Sequence, residues 1–236
     1  MSEERTTPSA RPSRVAAPPA TISRSTRALL LCGVAAGPLF AVAATIQVLT
    51  REGFDLRRNA ASVLSNGDLG WIQVGNYLVT GLLFFAGAVG MRRVMRSGRG
   101  GTWGPRLIGA YGLGLAAAGL FRPDPANGFP AGAPPGNPEH PSWHSTVHFT
   151  VATLAFLALI AACLVLARGF ASRQRAGWAA FSAVMGLALL GATIAIAAQA
   201  NKGMVNVVFY VVAVLTMGWV SVLAGWLLRQ LPDDGR

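Results

Sequence analysis

The chain has 236 residues, 53% of them hydrophobic and 12% charged, and a formal net charge of +11. Soluble domains carry about 25% charged residues, and here the charges crowd into short segments between long uncharged ones, which argues against an ordinary soluble core. No Lys/Arg cluster is interleaved with stacking aromatics, so the basic excess points to membrane-protein loops and not to a nucleic-acid partner.

Residues 1–27 are rich in Pro, Ser, Thr and Arg and lack apolar periodicity, so they read as a disordered basic tail. The apolar run that follows is too long for the ~7–15-residue core of a signal peptide. Six apolar segments come next, at about 28–50, 71–91, 103–121, 147–167, 178–199 and 205–228. Each approaches the roughly 20 residues that cross a bilayer as a helix, and helical backbone satisfies its own polar groups in lipid. The expected fold is all-α: a six-transmembrane-helix bundle over 28–228, with 229–236 as a short tail. The third segment has the shortest continuous apolar part, "LIGAYGLGLAAAGLF". Its Gly109, Gly112, Gly114 and Gly119 suit close helix approach at the centre of the bundle.

Fifteen of the twenty basic residues fall on the two termini and the second-to-third and fourth-to-fifth connections; five fall on the other side. The richer side is expected to be cytoplasmic, which puts both termini inside a multi-pass plasma-membrane protein. Cys32 and Cys163 lie in apolar segments and imply no disulfide framework.

Two irregular polar segments, 51–70 and 122–145, are then expected outside, where function usually sits. In the first, Asp55 or Asn59 suits the cap of a short interfacial helix running to about Leu64, ended by the Asn66–Gly67 turn. Arg57 and Arg58 suit anionic headgroups or the acidic residues of the other loop. Ser62 is a conceivable nucleophile, but no base is adjacent in sequence, and capping or packing is the simpler reading. The second segment is too rich in Pro and Gly for helix or central strand, and reads as an ordered lid or a floppy cap. Asp124, between Pro123 and Pro125, is expected to be extended. Arg122 suits snorkelling or a lipid phosphate. Both residues equally suit the end of a helix.

Every histidine lies in "EHPSWHSTVHFT": His140, His144 and His148. Pro141 suits the first position of a helix, with Ser142 and Ser145 in its first turn. His144 and His148 then share one face, and His148 lies about 12 Å deeper than His140 by helical rise. That spread is too long for one ion to take all three. His144 and His148 with Asp124 or Glu139 make a possible zinc site, although the glutamate of the zincin motif is missing. Interfacial hydrogen bonding and proton handling are the other readings. At depth, Gln47 and Asn76 suit hydrogen bonds between helices. Apart from Arg106 near the start of the third, no Asp, Glu, Lys or Arg falls within a span, which argues against an ion-coupled pump.

The stretches "LTREGFDLRRNAASVLSNGDLGWIQVGNYLVTGLLFFAGAVGMRR" and "GLFRPDP", followed by "HSTVHFTVATLAFLAL", carry a family resemblance. The matching positions are Ser62, the "NGDLGW" turn, Asn76, Gly81, Phe121, Pro123, Asp124 and a histidine opening the fourth span. The chain resembles the uncharacterised bacterial membrane proteins grouped as domain of unknown function 998. The resemblance implies a six-span bundle and supplies no activity. The functional expectation is a lipid- or small-molecule-binding bundle whose outer site lies between the two loops, with Arg57, Arg58, Asn76 and Arg122 as ligand contacts. One alternative is a metal-dependent intramembrane hydrolase in which His144, His148 and Asp124 hold the ion that activates water. The other is an accessory subunit of a further membrane protein.

Overall fold

Long uncharged apolar runs leave the backbone no partner but itself, and here each forms a helix. A computed structural model describes residues 24–95, 98–198 and 203–232. The helices are α1 (Arg24–Thr50), α2 (Gly70–Val94), α3 (Arg99–Leu120), α4 (Trp143–Ala171), α5 (Ala176–Ala197) and α6 (Val205–Leu228). No strand is present among the described residues. Most of the expected basic tail lies outside them, but Arg24–Arg27 form the first turn of α1.

The six helices form a ring in chain order, and α1 closes it against α6. One end of the ring carries the long α1–α2 and α3–α4 connections and is called the loop end below. The opposite end gathers the first and last described residues: Arg27 Nη2 donates to the carbonyl of Pro232, and Arg93 Nη1 to Ser25 Oγ at 3.1 Å.

Five helices are long and apolar enough to cross a membrane; α3 is the exception. Its arginines and glycines lower its hydropathy, yet it packs along its whole length between α2 and α4. Glycine makes this possible. A Cβ on Gly81 would lie 2.5 Å from the Gly112 carbonyl, so α2 and α3 touch backbone to backbone. Large apolar side chains point outward on every helix, Leu49 (78% exposed), Leu82, Leu120, Leu154, Leu187 and Leu215 among them. Such a surface belongs in lipid, and the helices are those of an integral membrane protein.

Side-chain hydrogen bonds join the helices inside this shell. Ser221 Oγ on α6 accepts from Gly37 N and donates to Gly33 O, both at 3.0 Å. These two atoms are one turn apart in α1, next to Pro38, which has no N–H to give. Gln47 Nε2 donates to Gln73 Oε1 at 2.8 Å between α1 and α2, and Thr80 Oγ1 to Asn76 Oδ1 at 3.1 Å.

The first loop differs from its expected form. No interfacial helix runs from Asp55 or Asn59 to Leu64. Asp55 instead closes a turn, accepting from Arg57 N at 2.9 Å and pairing with Arg58 Nε at 3.1 Å. Only Ala61–Ser65 coil, as a 3-10 helix with no side-chain cap. Val63 and Leu64 face inward because Phe129 of the second loop packs on them, forming a small core of its own.

That core makes the second loop an ordered lid. Asn66 Nδ2 donates to Pro123 O and Asn127 Nδ2 to Arg58 O, each at 3.0 Å. Phe54 meets Phe129 edge to face, and the Arg51 guanidinium lies 5.1 Å from the centre of the Phe129 ring. Burial lowers the affinity of Arg51 for its proton below the ordinary value, and nearby Asp68 partly restores it.

Candidate binding cavity

Beneath this lid the ring is hollow. A cavity of about 680 Å³ is lined by both loops and by residues of all six helices. Its upper wall holds Asn59, Ser62, Asp124, Asn127 and Ser145. Lower down the lining turns apolar, with Phe40, Leu115, Phe156, Phe209 and Met217, interrupted by Tyr77, Tyr111 and Tyr210. Tyr111 lies nine residues before the end of α3, so the cavity reaches roughly 14 Å below the loop end by helical rise.

Two of the lining side chains carry unanswered polar atoms. Asn59 is 1% exposed, and neither its amide nitrogen nor its oxygen has a hydrogen-bond partner. Tyr111 is fully buried, and its hydroxyl is equally alone. A buried polar group without a partner costs about 1–3 kcal/mol, so each such group calls for an explanation.

The histidine and carboxylate candidates separate. His148 is 2% exposed and lines the cavity. Its Nδ1 lies 2.8 Å from two carbonyl oxygens, those of Ala118 and Phe121, at the end of α3. Carbonyls only accept, so Nδ1 carries the proton and, in the neutral ring, Nε2 keeps the lone pair. The imidazole thereby serves orphan carbonyls of a helix end. His144 is exposed and stacks on Trp143, ring centres 3.7 Å apart. His140 is exposed in the loop.

Asp124 holds the start of α4. Its Oδ2 accepts from Ser142 N at 2.7 Å and its Oδ1 from Ser142 Oγ at 2.6 Å. Ser142 Oγ in turn accepts from Ser145 N at 3.1 Å, making Ser142 the N-cap, with Pro141 just before it and not inside the helix. The carboxylate also faces the positive end of the α4 dipole. His144, His148 and Asp124 therefore do not converge on a point where an ion could bind them jointly. Among the described residues, no group of three His, Cys, Asp or Glu side chains is placed to share a metal.

The remaining candidates divide in the same way. Ser62 and Arg58 line the cavity. Arg57 and Arg122 are exposed and stand away from it. Asn76 is used between α1 and α2, donating to Phe40 O and Gln73 Oε1, each at 3.4 Å.

A family model of proteins of unknown function, DUF998, matches residues 34–226. The chain belongs to the DUF998 family. The match runs from α1 to α6 and so takes in both loops and the whole cavity wall. No curated protein and no solved structure matches this DUF998 chain.

Sequence reasoning named the two loops but missed what they enclose. Asn59 suits a cap in the sequence, as Asp55 does, because asparagine often caps helices; the direction of its amide depends on the fold around it. The signal for Phe129 is its standing as a lone large aromatic amid Pro and Gly, which marks an anchor.

Proposed function

We propose that this protein spans the bacterial plasma membrane six times, with both termini in the cytoplasm and the loop end outside, and that it binds a lipid or other small amphipathic molecule in its cavity. The counts of basic residues support the orientation. The lengthwise packing of α3 between two spanning helices supports counting it as a span. The observation that carries the binding reading is the cavity itself. Its volume falls within the roughly 300–1,000 Å³ of ligand sites, and its apolar wall with a few convergent polar groups has their usual make-up.

The test uses the full chain in phosphatidylcholine vesicles and a long-chain alkyl diazirine as photolabel. Wild type is expected to be labelled on α4 and α6 at cavity-lining residues such as Phe156 and Phe209. Ala213→Phe, which fills the cavity from α6, is expected to lose that labelling while keeping labels on its outward faces. Equal labelling of lining residues in the two proteins would overturn the reading. Cysteines placed one at a time in each connection, probed with a membrane-impermeant thiol reagent, test the six-span topology.

A further inference from the structure

This step rests on the cavity reading and asks what kind of molecule fits. We infer that the occupant is a neutral single-chain amphiphile with a hydroxyl or amide headgroup, which enters from the bilayer between α4 and α5.

The route comes from the shape of the wall. Near mid-helix α4 and α5 touch closely: a Cβ on Gly186 would lie 2.8 Å from Cys163 Cβ. Toward the loop end they no longer seal. Phe149, Thr150 and Thr153 of α4 line the cavity and are exposed, and Thr193 of α5 lines it half-buried on the facing edge. The joined loops roof the end of the ring. The open side therefore faces lipid, and a molecule already dissolved in the bilayer reaches it without crossing water.

The headgroup follows from the charges. Among the described residues, the fully buried polar atoms of the lining that lack a partner are the Asn59 amide and the Tyr111 hydroxyl, both neutral and both able to donate and accept. The charged lining residues are otherwise engaged: Arg58 pairs with Asp55, and Asp124 holds Ser142. No Asp, Glu, Lys or Arg lines the cavity below them. A carboxylate or phosphate drawn below the upper wall would lose its water and gain no cation, whereas a hydroxyl or amide loses little and satisfies Asn59. The volume is that of a drug-sized ligand, which suits one chain and not a two-chain lipid.

Three photolabels test this, all with one alkyl diazirine chain and ending in an alcohol, a carboxylate or a phosphate. Each is added to vesicles holding the full chain, and labelled residues are mapped by mass spectrometry. The alcohol is expected to label residues lining the cavity about tenfold more than either anion, a preference worth ~1.4 kcal/mol. Tyr111→Phe and Asn59→Leu are each expected to cut alcohol labelling without lowering the melting temperature, because each removes an unpartnered buried group. Carboxylate or phosphate labelling equal to the alcohol's would overturn the headgroup assignment. Undiminished alcohol labelling in both Tyr111→Phe, the conservative variant, and Asn59→Leu would do the same. If none of the three labels the lining, the cavity reading itself falls.

Discussion

Asp124 and Ser142, eighteen positions apart, grip each other twice: one carboxylate oxygen takes the serine N–H and the other its hydroxyl. The pair joins the start of the α3–α4 connection to the residue just before α4. A hydrogen bond to a charged group contributes about 1.5–3 kcal/mol. Asp124→Ala is expected to lower the melting temperature in detergent and to open the 126–138 segment to protease. Asp124→Asn, which keeps one acceptor oxygen, should fall between Asp124→Ala and wild type. Melting of Asp124→Ala equal to wild type would remove the clasp from the account.

His148 and His144 are expected to behave oppositely. Replacing His148 by Phe strips the donor from two buried carbonyls at the end of α3, a loss of about 1–3 kcal/mol. His144 stands exposed on the surface, where most substitutions stay within about 0.5 kcal/mol. Thermal melting of His148→Phe and His144→Ala side by side checks this, and equal losses would contradict it.

Gly81→Val puts new carbon against the Gly112 carbonyl and forces α2 from α3, an overpacking cost of about 1–3 kcal/mol or more. Gly75, on the same helix, has open space around it, and Gly75→Ala should be neutral or stabilising by up to ~1 kcal/mol through helix propensity. Unfolding midpoints in denaturing detergent distinguish the two.

Phe129→Ala removes the side chain on which Val63 and Leu64 pack, in a small core that meets the helices only at Val48 near the end of α1. The lid is expected to open locally while the bundle stays folded. Cleavage within 126–138 should rise at least about tenfold, matching ~1.4 kcal/mol of lost local stability. An unchanged rate would show that the lid is held by its hydrogen bonds alone.

The helices were legible because each is a long run without charge, a pattern that lipid permits in few other forms. The ends were less so. Hydropathy starts the fourth span only at 147, while Pro141, Ser142 and Ser145 mark a helix start close to the observed Trp143, where Ser142 and Asp124 hold a polar first turn. The two loops were readable as the walls of a site. The partners of His148 were not, since they are backbone carbonyls, which every residue has. The metal expectation paired His148 with Asp124 because both are good ligands, and side-chain chemistry alone cannot show that each is already engaged elsewhere.

The closure of α1 on α6 has a consequence for where the chain must begin. Arg27 touches Pro232, and the turn between α4 and α5 lies at that same end, where Arg175 sits 4.9 Å from the Trp226 ring. A chain started at α5, with residues 24 and 232 joined by a short linker, would meet every one of the same neighbours in the same orientation. Such a permuted protein is expected to fold and keep its cavity, since exposed turns tolerate new termini.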